Sequence, residues 1–129
     1  MAKDYIDIVR GIDDYAPQLK ALISETLSGF ARMSHAAQTP GALDRRTKEL
    51  IAAAIAVATR CDGCIGYHAR GALRAGATRE ELAEALGVAV QLGGGPAVNY
   101  AIDALRAYDQ FAEEAQAPER GTLTAVTDL

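Results

Sequence analysis

The sequence has no tryptophan and few other aromatic residues, five tyrosines and two phenylalanines in 129 residues. Half of the residues are nevertheless hydrophobic, and most of these are Ala, Leu, Ile and Val. Small aliphatic side chains favour closely packed helices, whereas β-sheets are enriched in β-branched and aromatic residues. The composition therefore argues against a β-rich fold, and the length suits one domain with one core.

Basic clusters and long apolar runs are also missing. The formal net charge is −4 and no block of Lys or Arg occurs, so nucleic-acid binding has no support. The longest apolar stretch, Leu50 to Ala58, is too short to span a membrane. The segment from Met1 to Gly11 is charged throughout and does not resemble a signal peptide. We therefore expect a cytoplasmic protein that binds neither nucleic acid nor membranes.

Cysteine is rare, and Cys61 and Cys64 are the only two in the chain. In a reducing cytoplasm, a close pair of cysteines is more often catalytic or metal-binding than structural. The sequence Cys61-Asp62-Gly63-Cys64 can close to a disulfide and reopen. One helical turn after Cys64, His68 lies on the same face and can move the proton that thiol chemistry requires.

The apolar residues recur at helical spacing between Gly, Pro and capping residues. This pattern predicts helices over residues 16–37, 45–59, 62–75, 79–92 and 97–115, with no competing strand pattern. Asp44 is expected to cap the second helix, Thr78 and Glu81 to form a capping box, and Gly76 to end the third helix. We therefore predict an all-α, single-domain helical bundle.

The short connection at residues 59–61 predicts that the second and third helices form an antiparallel hairpin. Residues equidistant from the turn then face each other, which puts Glu49 about level with His68. Along one continuous helix, Glu49 would lie roughly 18 Å from Cys61. The hairpin is thus what brings Glu49, His68 and Cys64 into one site, where the carboxylate orients the imidazole and stabilises its charged form.

Four residues follow one another at a characteristic spacing: Glu49, eleven further residues, and then Cys61-x-x-Cys64-x-x-x-His68. This spacing resembles the signature of the alkylhydroperoxidase D-like branch of the carboxymuconolactone decarboxylase family. Residues 71–86 resemble the same family, as does the Gly-rich turn before Asn99 and Tyr100; these sequence matches extend over about residues 15–112. The resemblance implies a helical domain at residues 15–115 that assembles as a homo-oligomer, a trimer or hexamer. It would lie between an N-terminal segment, 1–14, and a loose C-terminal tail, 116–129.

The resemblance further implies a thiol-dependent peroxidase that reduces hydroperoxides through a Cys61–Cys64 disulfide. By that resemblance Cys64 is the attacking thiolate, Cys61 the resolving partner, and Glu49 with His68 the proton relay. It implies no organic cofactor and no metal ion, but a dithiol reductant of the lipoyl or thioredoxin-like type. The sequence departs from the best-known members at Gly63, where they carry a further histidine.

Several other interpretations of these residues stay open. The pair can act as a disulfide relay or redox sensor without peroxidase turnover, or simply be two small buried hydrophobic residues. Cys61, Cys64 and His68 are also plausible zinc ligands. A decarboxylase-like lyase is less favoured, because that branch lacks the cysteine pair. Arg45 and Arg46 are either solvated charges or help to place a substrate or partner.

Overall fold

The computed structural model describes residues 1–117. Over this part the chain forms six α-helices and no β-strand: α1 (Tyr5–Leu22), α2 (Ser24–Gln38), α3 (Arg45–Ala58), α4 (Asp62–Arg74), α5 (Arg79–Gly93) and α6 (Gly95–Gln116). The predicted all-α fold is confirmed. Among the described helices, none is long and apolar enough to cross a membrane.

The core lies between α3, α4, α5 and α6, with α1 packed across α4 and α6. Alanines form much of it, and the larger buried side chains fill the space that they leave. The buried alanines are Ala53, Ala56, Ala69, Ala72, Ala77, Ala89, Ala97, Ala104 and Ala107. Small side chains let the helix backbones approach closely, so a core with few aromatic residues can still be dense.

The predicted helix ends of α3, α4 and α5 are confirmed. The Asp44 side chain accepts a hydrogen bond from the Thr47 backbone N–H at the start of α3. Thr78 and Glu81 form the reciprocal capping box of α5. Gly76 follows α4 with φ +87°, a left-handed conformation that glycine adopts without steric penalty.

The turn between α3 and α4 is a Schellman motif built on Arg60, which has φ 56°. The Arg60 N–H donates to the Val57 carbonyl, and the Cys61 N–H donates to the Ala56 carbonyl, each at 3.1 Å. This pattern closes α3 within three residues. Cys61 is therefore the last residue of the Schellman motif of α3 and also the N-cap of α4. The two helices pack against each other as the predicted hairpin.

The prediction for the N-terminal helix is wrong in both position and continuity. α1 already begins at Tyr5, because the Asp4 side chain accepts hydrogen bonds from the first-turn N–H groups and because Tyr5 and Val9 are buried. Pro17 lies inside α1 rather than at its start. The predicted single helix is also interrupted at Ile23, whose extended φ of −135° separates α1 from α2. The predicted tail, 116–129, lies outside the described residues except for Gln116 and Ala117.

Over residues 1–117, apolar side chains are exposed on α2 and between α3 and α5, among other places. α2 has no buried residue, and its Phe30 and Met33 are 61% and 60% exposed. Ile51 and Ile55, within the apolar stretch Leu50 to Ala58, are about half exposed. They line an apolar groove of about 550 Å³ between α3 and α5.

Candidate active site

The hairpin brings Glu49 of α3 against His68 of α4, with 3.0 Å between Glu49 Oε1 and His68 Nδ1. The Glu49 side chain is only 6% exposed, whereas that of His68 is 33% exposed. A buried carboxylate is stable only with a hydrogen-bonding partner, so the pair is held firmly. Because the carboxylate only accepts hydrogen bonds, the proton on Nδ1 points to Glu49, and Nε2 is left for exchange with a reactant.

Cys61 and Cys64 are joined by a disulfide, with their Cα atoms 5.2 Å apart. Cys61 is the N-cap of α4, and its Sγ accepts a hydrogen bond from the Cys64 N–H at 3.2 Å. The positive end of a helix favours a thiolate over a thiol at this position. Cys64 lies in the first turn of α4, one turn before His68.

Gly71 creates the space that the Glu49 carboxylate occupies. A Cβ atom at Gly71 would lie 1.4 Å from Glu49 Oε2 and 2.5 Å from its Cδ. Oε1 of the same carboxylate bonds His68, three residues before Gly71 on the same face of α4. Any side chain at Gly71 would therefore push the carboxylate away from the imidazole. The sequence analysis missed this role, although a glycine inside a helix one turn after the histidine is a signal for close approach.

The space beside Gly63 is filled by α1. A Cβ atom at Gly63 would lie 2.7 Å from Ile12 Cδ1, and one at Gly66 would lie 2.6 Å from Val9 Cγ2. α1 thus packs directly on the first turns of α4. A larger side chain such as histidine has no room at Gly63 while Ile12 stays in place.

Asp62, between the two cysteines, is held by the N-terminal segment. Its carboxylate accepts hydrogen bonds from Lys3 Nζ at 2.9 Å and from the Tyr5 hydroxyl at 2.8 Å. Burial alone raises the pKa of the Asp62 carboxyl, but these two hydrogen bonds outweigh it and leave the pKa below its usual range. Gln110 of α6 secures the same segment, since it accepts from the Tyr5 N–H and donates to the Lys3 carbonyl. The cysteine loop is therefore anchored from both ends of the domain.

A cavity of about 430 Å³ opens beside the Glu49–His68 pair. It is lined by Gln38, Arg45, Glu49, Tyr67, His68, Arg70, Gly71, Arg74 and Ala75. Tyr67 donates a hydrogen bond to Asp13, and burial followed by this bond raises the pKa of Tyr67 to about 12. Its phenol stays protonated at neutral pH and is not a base. Within residues 1–117, no cluster of three or more His, Cys, Asp or Glu side chains is arranged to hold a metal ion.

The chain is similar to proteins of several bacteria over most of its length. The crystal structure of an apo carboxymuconolactone decarboxylase family protein from Legionella pneumophila has a TM-score of 0.81 and 44% identity, covering 84% of this chain and 96% of that chain. An uncharacterized protein of Cupriavidus necator is 46% identical over 83 residues, 64% of this chain and 74% of that protein. Uncharacterized protein 4 of the cox locus of Paracoccus denitrificans is 40% identical over 102 residues, 74% of this chain and 92% of that protein.

The sequence profile of one family matches residues 24–107, from the start of α2 into α6. This span includes the whole hairpin with Glu49, both cysteines and His68. The chain belongs to the carboxymuconolactone decarboxylase family.

Proposed function

We propose that this protein is a thiol-dependent peroxidase, which reduces organic hydroperoxides through the Cys61–Cys64 pair. The observation that carries the proposal is the buried Glu49–His68 pair one helical turn from Cys64. A thiol needs a base to become the reactive thiolate, and the alkoxide that leaves the peroxide needs an acid. A histidine oriented by a carboxylate serves as both in turn.

The first step cleaves the peroxide bond. His68 takes the proton of the Cys64 thiol, and the resulting thiolate attacks the distal oxygen of ROOH. The O–O bond breaks, Cys64 becomes a sulfenic acid, and the leaving alkoxide takes the proton from His68 to give ROH. Glu49 stabilises the imidazolium between these two transfers. The sulfur is oxidised by two electrons and the peroxide is reduced by two.

The second step forms the disulfide. The Cys61 thiolate attacks the Cys64 sulfenic sulfur, and hydroxide leaves as water after protonation. A dithiol of the lipoyl or thioredoxin-like type then reopens the disulfide by two successive exchanges and is itself oxidised. Cys61, as the N-cap of α4, is the better leaving sulfur when the dithiol attacks Cys64. The cycle needs a reducing compartment, in keeping with a cytoplasmic location.

The test is rapid mixing of reduced protein with cumene hydroperoxide, quenched at intervals and followed by titration of the remaining thiols. Wild-type protein is expected to lose two thiols per peroxide, far faster than a free thiol of ordinary pKa. Cys61→Ser should react at a similar rate but stop at a sulfenic acid, which dimedone traps. Cys64→Ser should react no faster than free thiol.

The same experiment distinguishes the alternatives. If wild-type protein reacts slowly with peroxide but exchanges rapidly with a dithiol, the cysteine pair is a disulfide relay, which the N-cap position of Cys61 would also serve. If Cys61→Ser loses the reaction and Cys64→Ser keeps it, the two roles are reversed. A lyase of the decarboxylase type would depend on neither thiol.

The protein is also proposed to assemble as a homo-oligomer, a trimer or hexamer, with α2 of one copy covered by another. The support is the apolar face of α2, on which no residue is buried by the described part of the chain, residues 1–117. We expect Phe30→Glu to lower the mass measured by light scattering toward the 13.6 kDa of one chain, because a charge cannot be buried there without a partner. Ser28→Glu adds the same charge to an exposed polar position of α2 and should keep the wild-type mass. An unchanged mass for Phe30→Glu would contradict the proposed interface.

A further inference from the structure

The cavity beside the Glu49–His68 pair is lined by three cationic side chains, Arg45, Arg70 and Arg74. Among the lining residues within the described part of the chain, Glu49 is the only carboxylate, and it already accepts the hydrogen bond from His68. The chain as a whole has a formal net charge of −4, so this concentration of guanidinium groups is local. A concave site of this charge favours an anionic ligand.

Arg45 lies on the same face of α3 as Glu49, four residues before it, and both line the cavity. It lies in the first turn of α3, which contains no acidic residue, and a cation there opposes the helix dipole. Its neighbour Arg46 is compensated by Glu81 at 3.4 Å and by Asp44 at 4.0 Å. Arg45 instead borders the cavity. Of the cations in the first turn of α3, Arg45 is therefore the one that lines this cavity.

Arg70 and Arg74 stand between this cavity and a smaller neighbouring one. The Arg70 guanidinium lies 5.4 Å from the ring centre of Tyr67 and 5.7 Å from that of Phe111. The smaller cavity adds the charged residues Arg10, Asp13, Asp14 and Glu114 on the far side. Arg70 and Arg74 line both of these cavities, whereas Arg45 lines the larger of the two. Arg45 is the residue through which the site can be tested most cleanly.

The hairpin geometry sets the distance between the cation and the reacting sulfur. Cys64 lies one turn before His68, toward the α3–α4 turn, and Arg45 lies one turn before Glu49, away from it. Because Glu49 and His68 are level, the backbones of Cys64 and Arg45 are separated by about 12 Å along the hairpin axis. An arginine side chain spans about half of that distance. A ligand that contacts Arg45 and also places its peroxide near Cys64 must separate its anionic group from the reacting oxygen. The required separation is roughly the length of a para-substituted benzene ring.

We infer that the cavity binds the carboxylate of an organic hydroperoxide, with Arg45 as a principal contact. The inference rests on the proposed peroxidase function for the reaction itself, but the anion site can be tested without it. The carboxylate would accept hydrogen bonds from the guanidinium group, the geometry that arginine provides best. The peroxide group would then point toward His68, which lines the cavity, and beyond it toward Cys64, which lies one turn earlier on α4 and is not among the lining residues.

The binding experiment uses an unreactive pair of probes, 4-isopropylbenzoate and the neutral 4-isopropylbenzamide, titrated into the oxidised protein and followed by NMR. We expect the benzoate to bind about 10- to 100-fold more tightly than the amide, the range of one charge-assisted contact. Arg45→Ala should remove most of this preference, Arg45→Lys should restore part of it, and Arg46→Ala should leave it unchanged. Equal affinities in wild type, or a preference that survives Arg45→Ala, would overturn the inference.

The kinetic experiment compares the hydroperoxide of 4-isopropylbenzoate with that of its methyl ester, so that only the charge differs. The ratio of the two second-order rate constants is expected to exceed about 10 in wild type and to fall toward 1 in Arg45→Ala. A binding preference without a reaction of either peroxide would refute the peroxidase and keep the anion site. Reaction with both peroxides at equal rates would refute the anion site and keep the peroxidase.

Discussion

Glu49→Gln is expected to lower the rate constant of thiol oxidation by cumene hydroperoxide by about 100-fold or more. The amide still accepts the hydrogen bond from His68 Nδ1 but carries no charge, so the imidazolium formed during the reaction loses its counterion. Acid–base catalysis by one positioned group contributes about 10²- to 10⁴-fold. The buried position of Glu49 keeps its charge close to the ring and largely unscreened by water.

The measurement is the rapid-quench thiol titration described above, with the melting temperature recorded alongside. Glu84→Gln is the matched control, because Glu84 is an exposed glutamate on α5, and it should react at the wild-type rate. A full wild-type rate in Glu49→Gln, with the fold intact, would show that His68 acts without the carboxylate. Both cysteines should remain titratable in the variant, which confirms that any loss of rate is not a loss of thiols.

Gly71→Ala is expected to lower the same rate constant by about 10- to 100-fold without touching any reacting group. The added methyl group would occupy the position of Glu49 Oε2, so the carboxylate must turn away from His68. A displaced carboxylate no longer stabilises the imidazolium, and the rate should approach that of Glu49→Gln. Alanine is also the better helix former, which offsets part of the steric cost in stability.

A double-mutant cycle separates this positioning role from general damage. If Gly71 acts through Glu49, then adding Gly71→Ala to Glu49→Gln should reduce the rate far less than it does in wild type. Gly87→Ala is the matched control, because a Cβ atom at this α5 glycine meets nothing within 4 Å. It should keep the wild-type rate with equal or higher stability. Fully additive losses in the cycle would contradict the role assigned to Gly71.

The parts of the fold with strong local signals could be predicted from the sequence. Asp44, Gly76 and the capping box at Thr78 act within a few residues, so the bounds of α3, α4 and α5 followed from them. The start of α1 could not be predicted in this way, because the charges of the first residues obscured its apolar face. That face is buried only against α4 and α6, far along the chain.

In the candidate site, too, the features set by local sequence could be predicted and the features set by helix packing could not. The approach of Glu49 to His68 follows from the short turn and the helical rise, which are local quantities. The contact of the Glu49 carboxylate with Gly71 and the contact of Ile12 with Gly63 are contacts between helices. They depend on how closely the helix backbones pack. No periodicity in one sequence encodes such distances. The arginines of the cavity were visible as charges, but only the hairpin shows that Arg45 and Arg74 line one space.

The anchoring of the cysteine loop also sets an order of events during synthesis on the ribosome. The α3–α4 hairpin leaves the ribosome well before Gln110, whose side chain fixes Lys3 and Tyr5 over Asp62. Domains acquire long-range contacts only after the later segment has been made. The hydrogen bonds that hold the N-terminal segment on Asp62, between the two cysteines, are therefore secured by Gln110 only after α6 has been made.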